Sequence, residues 1–126
     1  MHEYGLALDL LAAAAEEVRR LGGPPVARLR IEVGELAGVS PEALRAALQV
    51  AGQGTAFETA TIEIERVPGK LRCEGCGREG APSELDIADP EASKPWICPR
   101  CGHLLRATQG HSLVLKGLVL ADPAAV

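Results

Sequence analysis

The sequence of 126 residues holds only one Phe, one Tyr and one Trp. Any core must come from Leu, Val, Ile and Ala, and a platform of aromatic rings for stacking nucleic-acid bases is not expected. Basic charge is also scarce, with 13 Lys and Arg against 17 Asp and Glu and a formal net charge of −4. The deficit sits in the first 67 residues, which carry six basic and ten acidic side chains, whereas the remainder carries seven of each. Phosphate neutralisation needs a basic patch, so nucleic acid is not the expected partner. There is no run of 18 apolar residues, and no basic stretch followed by an apolar one and a small-residue cleavage site. The expectations are no membrane span, a start at the mature terminus and a cytoplasmic location. No cysteine is left over from the pairs Cys73/Cys76 and Cys98/Cys101, and in a reducing compartment disulfides are the weaker explanation. The length suits one full domain or two small ones.

What the chain does have is clear periodicity over its first half. Over residues 5–21, Leu6, Leu10, Ala13 or Ala14, Val18 and Leu21 recur at steps of three and four, predicting an amphipathic helix. Arg19 and Arg20 favour its C-terminal dipole, and Gly22-Gly23-Pro24-Pro25 ends it. Ala27, Leu29, Ile31 and Val33 then alternate with Arg28, Arg30 and Glu32, the period of a strand with one buried face. Ser40-Pro41-Glu42 is a helix start, with an N-cap hydroxyl, proline at the first helical position and an early acid. Ala43, Leu44, Ala47 and Leu48 supply the apolar side of that second helix, which stops near residues 52–54. Ile62 and Ile64 alternate with Glu63 and Glu65 in a second strand ending at Pro68-Gly69. Residues 111–120 are apolar on both faces apart from Lys116, which suits a central strand covered on each side. The tail 122–126 is expected to fray.

Between these strands, residues 70–108 are rich in Gly, Pro and Cys. Cys73-x2-Cys76, 21 intervening residues and Cys98-x2-Cys101 form two hooks, each with glycine nearby to permit a tight turn. Two such hooks supply a closed tetrahedral set of four thiolates. A structural zinc ribbon is favoured over a rubredoxin-like iron centre, which uses the same ligands, and over a redox dithiol, which lacks a thioredoxin-like βαβ context. A fourfold thiolate site leaves no open position for water, so no catalysis is expected there. Between the hooks, residues 77–97 read as a solvated loop, with Trp96 packing against the ribbon. The fold class is thus α+β: a small α/β domain with a three-stranded sheet and two helices, plus an inserted zinc-ribbon domain. The boundaries are 1–69 and 108–126 for the first domain, and 70–107 for the second.

A histidine at position two has special chemistry. The Met1 amine, the His2 amide nitrogen and the His2 Nδ1 can form fused five- and six-membered chelate rings, with the Glu3 amide able to join or replace the amine. Deprotonated amides impose planar coordination, which suits Ni(II) or Cu(II) rather than tetrahedral zinc. The bulk of His2 is expected to keep Met1 in place.

These residues resemble a known family. Met1-His2-Glu3, the segment Val33-Gly34-Glu35-Leu36-Ala37-Gly38-Val39, Pro41-Glu42-Ala43-Leu44 and the double hook ending Cys98-Pro99-x-Cys101-Gly102 look like HypA/HybF, the nickel metallochaperones of [NiFe]-hydrogenase maturation. The resemblance spans essentially the whole chain. It implies a transferable Ni(2+) with His2 as the essential ligand and Glu3 assisting, and a structural Zn(2+) on Cys73, Cys76, Cys98 and Cys101. It also implies a HypB-type GTPase and the hydrogenase large-subunit precursor as partners, urease maturation in some members, and a monomer or weak homodimer. Two positions depart from it: Gly5 stands where serine is common, and the second helix has alanines where phenylalanine is frequent.

Three residues carry alternatives. Glu35 is either a functional acid or part of a strand-to-helix turn whose glycines need unusual backbone angles, and the turn is favoured. His103 and His111 are additional nickel donors or, as favoured, surface and strand residues. The competing functional classes are a zinc-ribbon module for protein interaction or nucleic-acid binding, and a rubredoxin-like electron carrier. An enzyme is the weakest reading, since no nucleophile and base pattern or phosphate loop is present.

Overall fold

The computed structural model describes residues 2–90 and 94–121, with the backbone alone at His2. The chain runs α1 (His2–Arg20), β1 (Val26–Gly34), α2 (Pro41–Ala51), β2 (Thr61–Val67), β3 (Lys70–Cys73), β4 (Glu79–Gly80), a 3-10 turn (Pro82–Leu85), β5 (Leu105–Gln109) and β6 (Leu113–Leu120). Two compact units result. The first contains Met1–Glu32, Val39–Glu65 and Val114–Val126, and the second contains Val33–Gly38 and Arg66–Leu113.

In the first unit α1 buries Ala7, Leu10, Leu11, Ala14 and Val18, the three- and four-residue spacing of a single helical face. The helix begins three residues earlier than its apolar pattern indicates and ends one residue sooner, leaving Leu21 exposed. Gly22 (φ +95°) and Gly23 (φ +77°) turn the chain out, and the Gly23 amide returns to the Val18 carbonyl at 2.8 Å. Helix α2 packs against α1 and starts as expected, with Ser40 Oγ accepting from the Ala43 amide at 3.3 Å and Pro41 following the cap. Replacing Ser40 with Ala leaves that amide without its acceptor and is expected to lower stability by ~1 kcal/mol, read as a shifted denaturation midpoint.

The three-stranded sheet has the order β2-β1-β6. Its middle strand, β1, buries Leu29, Ile31 and Val33 on alternating positions, and Val26 at its start. On the opposite face Arg28 and Arg30 reach Glu63 of β2 at 3.4 and 3.7 Å, and Glu32 reaches Lys116 of β6 at 3.8 Å. These solvent-accessible pairs, between the exposed arginines and half-buried Glu63 on one side and Lys116 and half-buried Glu32 on the other, set cross-strand partners more than they stabilise. The expectation of a covered central strand at residues 111–120 is corrected: β6 lies at the edge, and Val114 and Val119 are exposed. An unbroken apolar run states hydrophobicity but not which strands flank it, and here the alternating β1 takes the middle.

The second unit holds an antiparallel sheet of order β4-β3-β5, with Leu71 opposite Gly80 on one side and Ala107 on the other. Its core is Leu36, Leu71, Cys73, Leu85, Ile87, Cys98 and Leu105, with Trp96 and Ala107 packed against it. Trp96 therefore does pack on the ribbon, its Nε1 donating to the Pro90 carbonyl at 2.6 Å. The stretch between the hooks is more structured than a solvated loop. Leu85 and Ile87 are buried, and Glu84 Oε1 accepts from the Ala81 amide at 2.7 Å. Leu36 joins this core from the segment after β1, although the chain between residues 38 and 66 belongs to the other unit.

That segment is built for backbone contact. The Leu36 amide donates to the Gly110 carbonyl at 2.7 Å and the Glu35 amide to Val67 at 2.9 Å, while Glu35 Oε1 accepts from the Gly69 amide at 2.7 Å. A Cβ on Gly34 would lie 2.2 Å from the Gly110 oxygen. Glu35 therefore serves the turn. Gly38 (φ +72°) needs the left-handed angle, whereas Gly34 is required by close approach.

Candidate metal centres

The two hooks have matching local geometry. Each reads Cys-x-x-Cys-Gly, and the glycine after the second cysteine, Gly77 or Gly102, sits at φ +78°. The Gly77 amide donates to the Cys73 carbonyl at 3.1 Å, and Gly102 to the Cys98 carbonyl at 2.9 Å. The Cys73 amide donates to Arg78 and the Cys98 amide to His103, both at 2.8 Å. Each turn is thereby closed before any metal is considered. Sheet register brings the turns together, because Cys73 at the end of β3 pairs with Leu105, just beyond the second hook.

All four sulfurs lie within 4.8 Å of one another. Tetrahedral zinc with Zn–S bonds of ~2.3 Å spaces its sulfurs by ~3.8 Å, so small side-chain rotations would close the shell. Cys73 and Cys98 are buried, and Cys76 and Cys101 are exposed. Donation from the Cys76 amide, opposed by burial and reinforced by the Cys101 thiol and the Gly75 amide, lowers the Cys73 thiol to about 6. The amides of Cys101 and Arg100 lower Cys98 likewise. The His103 amide pulls Cys101 down as well, but the Cys73 sulfur, burial and the other two thiols outweigh it and raise Cys101 to about 11. Four neighbouring sulfurs do not readily carry four negative charges, and a dication removes that conflict. The donor set therefore fits zinc.

At the other candidate centre, Met1 and the side chain of His2 lie outside the described residues, and His2 is the first residue of α1. Glu3 is half-buried and lines a cleft of about 590 Å³ with Tyr4, Ala43, Ala46, Ala47 and Val50. The small side chains of α2 leave this space open. His111 is exposed ahead of β6, and His103 is exposed beside the first hook. Among the described residues, neither joins the cysteine cluster. The fraying expected at 122–126 also concerns residues outside those described.

A family model described as hydrogenase/urease nickel incorporation, metallochaperone, hypA, matches residues 1–120. The chain belongs to the HypA family. Hydrogenase maturation factor HypA of Nostoc punctiforme is 38% identical over 97% of each chain, and that of Rippkaea orientalis is 32% identical over 97% of each. The fold agrees with the solution structure of the Ni metallochaperone HypA from Helicobacter pylori. That match has a TM-score of 0.64 and 20% identity, over 95% of this chain and 97% of that one. The resemblance drawn from the terminal tripeptide and the double hook is thereby established as family membership. The α+β class with two helices and small sheets also stands. Among the described residues, no helix is long and apolar enough to cross a membrane.

Proposed function

We propose that this chain is a cytoplasmic nickel metallochaperone, binding Ni(II) at its N-terminus for delivery to the [NiFe]-hydrogenase large-subunit precursor. The observation carrying the reading is the nickel-incorporation family match along residues 1–120, which includes Met1-His2-Glu3. The chemistry supports it. The first N–H groups of a helix have no intrahelical acceptor, so the amides at the start of α1 are free to lose a proton and serve as donors. With the Met1 amine or the Glu3 amide and the His2 imidazole, they offer the planar nitrogen set that selects Ni(II) over tetrahedral zinc.

In this reading Cys73, Cys76, Cys98 and Cys101 hold structural zinc, which supplies folding energy to the second unit. Nickel handling falls to the first unit and zinc to the second, close to the expected boundaries 1–69 with 108–126 and 70–107 except that residues 33–38 belong with the cysteines. The chain performs no catalysis. Its partners are a HypB-type GTPase and the hydrogenase precursor, with urease maturation proteins as further recipients. In cells lacking this chain, the precursor is expected to accumulate without nickel, and re-expression of the chain restores loading. Full loading without it, at limiting nickel, would refute the role.

A further inference from the structure

Glycine at position 75 has no conformational cause, unlike Gly77, which needs its left-handed angle. Its cause is steric: a Cβ built on Gly75 would lie 2.4 Å from His103 Cγ and Nδ1 and 2.8 Å from His103 Cβ. The imidazole from the second hook therefore rests directly on the backbone of the first. His103 also engages its own hook through the main chain, accepting from the Cys98 amide at 2.8 Å and donating to the Cys101 sulfur. Next to it, the Glu74 amide donates to the Leu104 carbonyl at 3.2 Å, and Glu74 pairs with Arg106 at 3.0 Å.

We propose that His103 is a positioning residue of the four-sulfur site, its ring bracing the Glu74-Gly75 turn so that the Gly75 and Cys76 amides stay directed at Cys73 Sγ. Those donors lie 3.3 and 3.4 Å from the sulfur. They stabilise the thiolate that a metal requires, so loosening them speeds metal loss without removing a ligand. The role belongs to the packed ring rather than to its nitrogens, and it requires residue 75 to lack a side chain. The inference rests on reading the four cysteines as the zinc site.

The test uses the full chain loaded with one zinc, comparing the native protein with His103→Ala, His103→Phe and Gly75→Ala. Zinc release to a chromophoric chelator is expected to quicken ~10-fold in His103→Ala and Gly75→Ala, within the range of supporting residues around metal sites. In His103→Phe, which keeps a flat ring, release should stay near the native rate. Amide hydrogen exchange at Gly75 and Cys76 should rise in His103→Ala while exchange at Leu29 and Ile31 does not change. Native release by His103→Ala would overturn the proposal, as would His103→Phe releasing as fast as His103→Ala. The two readings fail separately. A native chain that takes up no zinc refutes the zinc assignment, whereas unchanged Gly75 exchange in His103→Ala, with zinc or without it, refutes the brace.

Discussion

Replacing Cys73 with Ser is expected to release zinc and unfold the second unit while the first stays folded. Cys73 is both ligand and core: it ends the middle strand of the β4-β3-β5 sheet, is 1% exposed, and packs with Leu71, Leu85 and Leu105. A hydroxyl there keeps the size but loses the thiolate, leaving three sulfurs and a buried polar atom. Structural zinc contributes ~10–16 kcal/mol in small zinc-finger peptides, more than the whole stability of many domains. A unit whose hydrophobic cluster, among the described residues, numbers seven buried side chains, two of them cysteines, has little to replace it. Leu29, Ile31, Leu44 and Leu48 lie in the first unit and are buried without any metal donor among them. Metal analysis should give no zinc, and amide exchange should lose protection at Leu71 and Leu105 but keep it at Leu29 and Leu44. Retained zinc at one per chain would contradict the assignment.

Nickel binding is expected to fall by more than ~100-fold in His2→Ala, past the upper end of what a residue outside the ligand shell costs. Zinc content and the helices should be unchanged, because His2 is the terminal residue of α1 and the buried face begins, among the described side chains, at Ala7. His2→Gln should behave the same, since an amide side chain hydrogen-bonds but is a poor donor to Ni(II). Affinity should also fall as pH drops, because the imidazole and the amides must lose protons to bind. Equilibrium dialysis of the native-terminus protein and both variants reads all of this, and unchanged affinity in His2→Ala would end the assignment. Adding residues ahead of Met1 separates the donors. Loss of binding identifies the Met1 amine, and retention identifies the Glu3 amide in its place.

Legibility in the sequence followed the range of each interaction. The start of α2 was readable because Ser40, Pro41 and the Ala43 amide act within four residues. The hooks were readable because a chelating turn is a local geometry, repeated here down to the glycine angles. The edge position of β6 was not, since a strand's neighbours are chosen by the whole sheet. The burial of Leu85 and Ile87 was hidden by the acids and prolines around them, which dominate composition while two side chains anchor the turn.

Local sequence thus carried the two helices, the strands β1, β2 and β6, the four thiols and the terminal tripeptide, along with the family that these identify, but not β3, β4, β5 or the 3-10 turn. Only the tertiary structure decided that Leu36 completes the core of the second unit, that Glu35 holds the Gly69 amide, and that Gly34 and Gly75 are glycines to admit Gly110 and His103. The reason is physical. Periodicity, capping and chelate bite are written in neighbouring residues, whereas close approach between distant segments has no local signature until the chain has folded.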